Sequence, residues 1–268
     1  MIDSHCHLTY DGLYERVGEV IAEANAAGVD RMVSVGTTPD DARKAIALAQ
    51  RFEGVFATAG LHPHYASLGR HFDGEWSVWL SWLADRLREL IVLPEVVAIG
   101  EMGLDYHYKE PDPSDQRAAF ATQLAVMREM PEINGIIHNR EATDDTLAVL
   151  ADEGVDASRF VFHCFTGSPA EVEKILEAGA YVGFTGIVTF GSAKDVAEAS
   201  DRVPLDRLLI ETDSPYLTPA PFRKVRPNEP KYVARVAEFL AERRGVSTAE
   251  LTAATDANAE RLYGLPGR

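Results

Sequence analysis

The chain has 268 residues, of which 46% are hydrophobic and 25% are charged, as is usual for a globular protein with one large core. Its 26 basic and 42 acidic residues give a formal net charge of −16, which argues against a protein that coats nucleic acid through nonspecific phosphate contacts. The charge still permits an enzyme that takes a phosphodiester end into a local, metal-lined cleft.

Strand and helix patterns alternate along the whole chain. Apolar runs predict strands at residues 2–7, 31–35, 55–59, 96–101, 133–138, 159–164, 181–184 and 207–211. Helical periodicity predicts helices near residues 13–27, 39–51, 75–90, 114–129, 142–153, 169–178, 193–200, 231–244 and 248–262. Thr38 is a good N-cap with Pro39 at the first helical position, and Gly28 is a favoured helix stop.

This alternation predicts a parallel sheet with crossover helices. Eight units in this length favour a closed (β/α)8 TIM barrel, as a single domain over residues 1–268, over an open doubly wound sheet. No Gly-x-Gly-x-x-Gly follows the first strand and no P-loop is found, so dinucleotide and Walker-type nucleotide binding lack support.

Two cysteines, Cys6 and Cys164, are too few for a disulfide framework in a chain of this length. Each follows or precedes a histidine, and strand alternation would place it on the opposite face from that histidine, so we expect buried free thiols rather than ligands. No secretory signal follows Met1 and no apolar run reaches the roughly 18 residues of a membrane span. We therefore expect a cytoplasmic protein with no membrane partner.

Histidines and carboxylates stand at the ends of six predicted strands. They are His5 and His7, His62, Glu101, His138, His163, and Glu211 with Asp213. The C-terminal ends of barrel strands converge on one face, where barrel enzymes place their chemistry. Neutral imidazole is a favoured ligand for zinc and similar ions. The set therefore indicates a metal site, and scattered polar residues explain it poorly.

Six stretches around these residues resemble, in the same order, the motifs of the TatD family of metal-dependent deoxyribonucleases in the metallo-dependent hydrolase superfamily. They are DSHCHL at 3–8, GLHP at 60–63, IGEMGLDY at 99–106, HNREA at 138–142, FHCFTG at 162–167 and ETDSPY at 211–216. Each stretch alone is weak evidence, but the ordered set spans most of the chain and is highly specific.

The resemblance implies a site for two divalent metal ions. The implied ligands are His5, His7 and Asp213 for one ion, His138 and His163 for the other, and Glu101 as the bridge. Two cations roughly 3.5–4 Å apart can clamp the attacking and leaving oxygens of a phosphodiester, and Asp213 could also accept the proton of the attacking water. The donor set suits zinc, manganese, cobalt or iron, whereas the family is described as Mg- or Mn-supported, so the ion (Mg, Mn or Zn) stays open.

Two further candidate catalytic residues keep alternative roles. His62 follows the third strand and could contact the phosphate, or it could be a loop histidine packed against Pro63. Arg140 could bind a phosphate or fix a carboxylate, or it could pair with Glu141 or Asp144 at a helix start.

Other polar residues near the strand ends are expected to support the site. Glu211 could orient a ligand histidine through its second nitrogen or fill the barrel interior. Asp3 lies deeper and is expected to support ligands, and Asp105 could brace the rim or line the cleft. For His64 and His107 we expect a structural role.

Two segments depart from the family pattern. Residues 222–230 carry three cations that could receive a nucleic-acid backbone, but they include one extra residue and no glycine, which leaves the path of the loop open. Residues 130–135 are more polar than the usual approach to His138, which leaves the register of the fifth strand open.

The resemblance predicts a metal-dependent phosphodiester hydrolase, specifically a 3′-to-5′ exodeoxyribonuclease that takes single-stranded DNA ends by local rather than extended binding. The alternative is a metallo-hydrolase of a small-molecule amide, ester or lactone, because superfamily barrels perform both reactions. Glu101 at the bridging position favours the phosphodiesterase. A non-catalytic metal-binding protein is a third possibility, which an intact ligand set disfavours. DNA or RNA preference and oligomeric state do not follow from the sequence.

Overall fold

A computed structural model describes residues 1–72 and 75–267 of the chain. Eight strands form one sheet in the order β1 to β8, and every neighbouring pair is parallel. The strands are β1 (Ile2–Cys6), β2 (Arg31–Ser34), β3 (Val55–Ala59), β4 (Val96–Asp105), β5 (Asn134–Arg140), β6 (Phe160–Phe162), β7 (Tyr181–Phe184) and β8 (Leu208–Ile210).

Helices connect the strands and cover the outside of the sheet. They are α1 (Val17–Ala26), α2 (Pro39–Arg51), α3 (Trp76–Ile91), α4 (Pro113–Arg128), α5 (Thr143–Asp152), α6 (Pro169–Glu177), α7 (Lys194–Arg202), α8 (Val233–Arg244) and α9 (Thr248–Tyr263). Thr38 caps α2 as predicted, since its hydroxyl accepts a hydrogen bond from the N–H of Asp41 at 3.1 Å. The described helices include none with the length and apolar character that a membrane span requires.

The chain after β8 returns to β1 and closes the ring. Asp213 N donates to His5 O at 2.9 Å, and His7 N donates to Ser214 O at 2.8 Å. The carboxylate of Asp3 adds a side-chain link, because it accepts hydrogen bonds from the hydroxyl and the N–H of Thr212 at 2.6 and 2.9 Å. The predicted (β/α)8 barrel is thereby confirmed.

Helix α9 packs against the amino ends of the strands. Ile2 N donates to Asp256 Oδ1 at 2.8 Å, and Asn134 Nδ2 donates to Leu262 O at 2.6 Å. The apolar layer at this end of the barrel interior is a cluster of buried residues that includes Val33, Ala98, Ile136, Val161, Leu209 and Leu262. This end of the barrel is filled by side chains, so the opposite, carboxyl end is the one left for a site.

Most predicted boundaries agree with the structure within a few residues. The largest differences, of four residues, are at β4, which continues to Asp105 instead of ending at Glu101, and at α1, which begins at Val17 instead of Leu13. A 3-10 helix at Pro63–His71 follows β3 and was not predicted. The open register of the fifth strand is now defined, with His138 of β5 opposite Gly103 of β4.

Candidate metal centre and catalytic cleft

Strand alternation carries the site residues from the apolar layer to the carboxyl end of the barrel. Side chains two residues apart on a strand share a face. The pairs that place a polar residue above an apolar one are Ile136 with His138, Val161 with His163, and Leu209 with Glu211. The barrel therefore brings imidazoles and carboxylates from distant parts of the chain to the same end of its interior.

The first group consists of His5, His7 and Asp213. His5 Nε2 and His7 Nε2 lie 3.3 Å apart, and Asp213 Oδ1 lies 3.2 Å from His7 Nε2 and 3.7 Å from His5 Nε2. The two rings are buried, and the three ligand atoms lie within 4.8 Å of one another. One carboxylate oxygen and two imidazole nitrogens thus point at a common position.

Glu101 lies between this group and a second one. Its Oε2 is 3.5 Å from His5 Nε2, whereas its Oε1 is 2.6 Å from His163 Nε2 and 2.9 Å from His138 Nδ1. The carboxylate is almost completely buried. Each of its two oxygens therefore faces a different group of imidazoles, as a bridging ligand would.

The donor set fits divalent metal ions. The imidazole nitrogens of His5 and His7 face each other at 3.3 Å and compete for protons, and a shared cation would remove that conflict. The buried His163 Nε2 makes no acceptable hydrogen bond within the described residues, although Glu101 Oε1 is close. Nitrogen and carboxylate donors together suit zinc or manganese.

Protons are redistributed within this cluster. Burial opposes a charge on Glu101, yet the neighbouring His163 and His62 hold the pKa of Glu101 well below its usual range. Burial likewise opposes a charge on His163, but Glu101 raises the pKa of His163 well above its ordinary value. Burial lowers the pKa of His5. The cluster therefore combines ionised carboxylates with imidazole protons that they share. A bound cation has to displace those protons.

Asp105 holds His138 from the side opposite Glu101. Asp105 Oδ2 lies 2.9 Å from His138 Nε2 and 2.9 Å from His64 Nε2. Gln116 fixes the backbone of Asp105, because it accepts from Asp105 N at 2.8 Å and donates to Asp105 O at 2.9 Å. With Nε2 donating to Asp105, a neutral His138 leaves Nδ1 free of a proton on the Glu101 side.

His62 lines the cleft beside the second group. Its Nδ1 accepts from the N–H of His64 at 3.1 Å, so a neutral His62 carries its proton on Nε2. Burial lowers the pKa of His62 to about 4, which keeps the ring neutral at pH 7. Nε2 lies 3.3 Å from Glu101 Oε1 and 3.2 Å from His138 Nδ1. His62 therefore presents an N–H donor to the site.

Arg140 also lines the cleft. The two carboxylates that could have paired with it bind elsewhere, since Glu141 contacts His107 at 2.7 Å and Asp144 contacts Lys174 at 2.6 Å. The guanidinium lies over the ring of Tyr108 at 5.4 Å. Among the described residues it makes no ion pair, which leaves its charge available to an anion in the cleft.

Glu211 and Asp3 lie below the ligand groups. Glu211 is fully buried and accepts hydrogen bonds from Cys164 N at 2.5 Å and Ser4 Oγ at 3.2 Å, while its Oε1 faces His163 Nδ1 across 3.7 Å. It therefore combines a barrel-interior position with proximity to a candidate ligand. Burial raises the pKa of Asp3 to about 8, and its contacts are to Thr212 and the backbone.

Both cysteines are free thiols, as expected, but only Cys6 is buried. Cys164 is partly exposed and lines the cleft. The strand-alternation argument is wrong for Cys164 because β6 ends at Phe162 and Cys164 has a left-handed φ of 45°. Neither thiol belongs to the metal-compatible groups found among the described residues.

The loop after β8 folds back beneath Asp213. Asn228 Nδ2 donates to Thr212 O at 3.1 Å and Tyr216 O at 2.5 Å, and Arg226 donates to Thr218 Oγ1 at 3.0 Å. Tyr216 and Leu217 line the cleft, whereas residues 222–230, all within the described part of the chain, lie outside it. The cations of this loop therefore do not contact the cleft directly.

The cleft over the two groups has a volume of about 580 Å³, within the roughly 300–1,000 Å³ of ligand sites. Its lining also includes residues that the sequence analysis did not assign to the site: His64, Tyr10, Tyr65, Tyr108 and Tyr216. The available signal was spacing, because each of the four tyrosines follows a residue of the site or its support by three positions.

Comparison with known proteins agrees with this geometry. The model of the family described as TatD related DNase matches residues 2–264. The uncharacterized metal-dependent hydrolase YabD of Bacillus subtilis (strain 168) is 38% identical over 265 residues, which cover 99% of each protein. The 3′-5′ ssDNA/RNA exonuclease TatD of Klebsiella pneumoniae (strain 342) is 37% identical over 269 residues, covering 99% of this chain and 98% of the relative.

Among solved structures, YJJV, a TatD homolog from Escherichia coli k12, superposes with a TM-score of 0.88 at 28% identity, covering 99% of this chain and 98% of that one. The family match, the identity to full-length relatives and the shared barrel lead to one conclusion: the chain belongs to the TatD family of metal-dependent hydrolases.

Proposed function

We propose that this protein is a two-metal phosphodiester hydrolase that removes nucleotides from the 3′ ends of single-stranded DNA. The position of Glu101 supports this function most strongly, because its two oxygens face two separate groups of imidazoles. A carboxylate in that position suits two cations about 3.5–4 Å apart. The relative from Klebsiella pneumoniae, named as a 3′-5′ ssDNA/RNA exonuclease, supports the choice of substrate.

Two divalent cations, of magnesium, manganese or zinc, would neutralise charge on the phosphate and lower the pKa of the attacking water. Their proposed ligands are those implied by the sequence: His5, His7 and Asp213 for one, His138 and His163 for the other, with Glu101 between them.

Asp213 is the proposed general base. Its side chain is 14% exposed, compared with 2% for Glu101, so it is the more accessible of the two carboxylates. Its neighbour His7, through a hydrogen bond and its charge, overcomes the effect of burial and lowers the pKa of Asp213. The carboxylate is thus ionised at neutral pH and able to accept a proton from water.

His62 and Arg140 are proposed to hold the phosphate. His62 presents its Nε2–H beside Glu101, and the guanidinium of Arg140, which makes no ion pair with any described residue, supplies a positive charge in an otherwise acidic protein. Arginine binds phosphate oxygens with two parallel donors. The local charge at Arg140 fits the capture of a chain end rather than binding along a nucleic-acid track.

The test uses a single-stranded DNA 20-mer labelled at its 5′ end, incubated with the purified protein and Mg²⁺ or Mn²⁺. We expect a ladder that shortens from the 3′ end, which is blocked by phosphorothioate linkages at the 3′ end but not at the 5′ end. Glu101→Ala is the inactive control. An unchanged oligonucleotide, together with turnover of small amides or esters, would contradict the proposal and favour a small-molecule hydrolase.

A further inference from the structure

Four tyrosines stand at the cleft, and each comes three residues after a residue of the site. The pairs are His7 with Tyr10, His62 with Tyr65, Asp105 with Tyr108, and Asp213 with Tyr216. They follow β1, β3, β4 and β8, with Tyr65 in the 3-10 helix Pro63–His71 and the other three in loops. The same spacing therefore recurs at four separate strand ends of the barrel.

In three of the four pairs a backbone hydrogen bond fixes the tyrosine relative to the site. The N–H of the tyrosine donates to the carbonyl of the site residue in His7–Tyr10 (3.2 Å), His62–Tyr65 (2.9 Å) and Asp213–Tyr216 (3.0 Å). This is the i to i+3 bond of a tight turn. The turns return the chain so that each tyrosine lines the cleft.

The rings extend from the ligand groups to the mouth of the cleft. From the first group, His7 stacks on Tyr10 with centroids 4.7 Å apart, and Tyr10 meets Tyr216 edge-on at 6.2 Å. Beside the second group, the ring of His64 lies 5.8 Å from that of His138 and 5.2 Å from that of Tyr108. The outer tyrosines are Tyr65, Tyr108 and Tyr216, and they are 37%, 51% and 53% exposed.

Single exposed tyrosines are ordinary on protein surfaces. Three exposed tyrosines that line one metal-compatible cleft, from three separate segments of the chain, need a more specific explanation. A net charge of −16 repels a phosphate chain, so affinity beyond the scissile phosphate has to come from contacts that do not depend on charge. Stacking of an unpaired base on an aromatic ring is such a contact, and every base can make it.

We propose that Tyr65, Tyr108 and Tyr216 form an aromatic collar that stacks the bases of a single-stranded end and holds its terminal phosphodiester over the metal groups. This inference rests on the proposed function and names the part of the substrate that these residues bind. Bases in a duplex are already stacked on one another and their faces are covered. The collar therefore selects unpaired ends, with little preference for base identity.

The test compares two single-stranded oligonucleotides with the same phosphates. One carries normal bases at its last four 3′ positions and the other carries stable abasic residues there. For the base-bearing oligonucleotide, Tyr108→Ala and Tyr216→Ala should each raise KM about 5- to 100-fold, the range expected for the loss of one stacked base. The increase for the abasic oligonucleotide should be much smaller, and kcat should change less than KM in both.

Two control variants separate stacking from other effects. Tyr108→Phe keeps the ring and should retain the wild-type KM. Tyr14 is a 42% exposed tyrosine outside the cleft lining, so Tyr14→Ala should change the KM for neither oligonucleotide. Equal changes in KM for the two oligonucleotides, or no change in either, would overturn the collar.

Direct binding keeps the collar testable if hydrolysis fails. In an Asp213→Asn background, fluorescence anisotropy with a 5′-fluorescein oligonucleotide should show that the base-bearing strand binds more tightly than the abasic strand, and that Tyr108→Ala reduces the difference. Binding that is equal for the two strands refutes the collar. A wild-type protein that binds the bases but cleaves no oligonucleotide refutes the proposed function and leaves the collar supported.

Discussion

Replacing Asp105 by asparagine tests whether His138 is a metal ligand positioned by a second residue. Asp105 Oδ2 accepts from His138 Nε2 and lies equally close to His64 Nε2, both at 2.9 Å. Asparagine keeps the shape of the side chain but loses the charge and one acceptor oxygen. The proton on His138 Nε2 is then held less firmly. As a result, the unprotonated Nδ1 becomes a weaker ligand for a metal ion on the Glu101 side.

The size of the effect follows from the contacts. A carboxylate that orients a ligand histidine is worth about 10- to 100-fold in metal affinity, which corresponds to about 1.4–2.7 kcal/mol. Asp105 contacts His138 and His64 but neither His5 nor His7 in the first group. We therefore expect Asp105→Asn to weaken the binding of one of the two ions by this factor and to leave the affinity for the other nearly unchanged.

Calorimetric titration of the metal-free protein with Mn²⁺ measures the affinity of both sites for the ion. Asp115→Asn is a matched control, because Asp115 is also a buried carboxylate but pairs with Arg70, away from the cleft. That control should bind both ions as the wild type does. If Asp105→Asn also retained wild-type affinity at both sites, the reasoning about His138 would be refuted.

Three further outcomes are expected. Glu101→Ala should abolish hydrolysis and lower the metal content while the circular dichroism spectrum stays native; retention of activity and of both ions would exclude a bridging role. Despite burial, carboxylate neighbours raise the pKa of His7, His138 and His163 in the metal-free protein. Metal binding near pH 7 should therefore release protons, and the apparent metal affinity should rise with pH. Calorimetry in two buffers of different ionisation enthalpy measures this proton release, and a pH-independent affinity between pH 6 and 8 would contradict it. Gly60→Ala should lower the free energy of unfolding, measured by urea denaturation, by about 1–3 kcal/mol, because the new Cβ would lie 2.4 Å from a backbone carbon of Gly100. Gly191→Ala is the control: a Cβ there has no atom within 4 Å, so the same measurement should change by less than about 0.5 kcal/mol.

The barrel was predictable because local signals repeat eight times. Apolar runs, caps such as Thr38 and the alternation of strand and helix all point to the same architecture, and they do not depend on long-range detail. Barrel topology then brings the ends of distant strands together. For this reason the arrival of His5, His7, Glu101, His138, His163 and Asp213 at one end of the barrel could be predicted from the sequence, whereas their roles as ligands were implied only by the motif resemblance.

The inward position of Glu101 could not be derived from strand alternation. Ala98 packs in the barrel interior and Ile99 packs outside, so strict alternation would turn Glu101 outward with Ile99. The register of β4 against β5 shifts between Ile99 and Met102, and Gly100 in this interval has a φ of +128°. This irregularity turns Glu101 inward, and only the motif resemblance had indicated it.

Asp105 and the tyrosines were underestimated for a related reason. Gly103 has a φ of +136°, and a Cβ there would lie 2.1 Å from His138 O, so glycine allows β4 to run close to β5 as far as Asp105. The tyrosines lie in turns after the strands, where no hydrophobic period operates. Sequence periodicity predicts which residues share a strand face, but not where loops place their side chains.

Anomalous diffraction from crystals of the protein prepared with Mn²⁺ shows whether Glu101 joins two metal ions. We expect two peaks roughly 3.5–4 Å apart, with one oxygen of Glu101 directed at each. His5, His7 and Asp213 should surround one peak, and His138 and His163 the other. A single peak, or two peaks of which only one contacts Glu101, would refute a bridging role for this carboxylate.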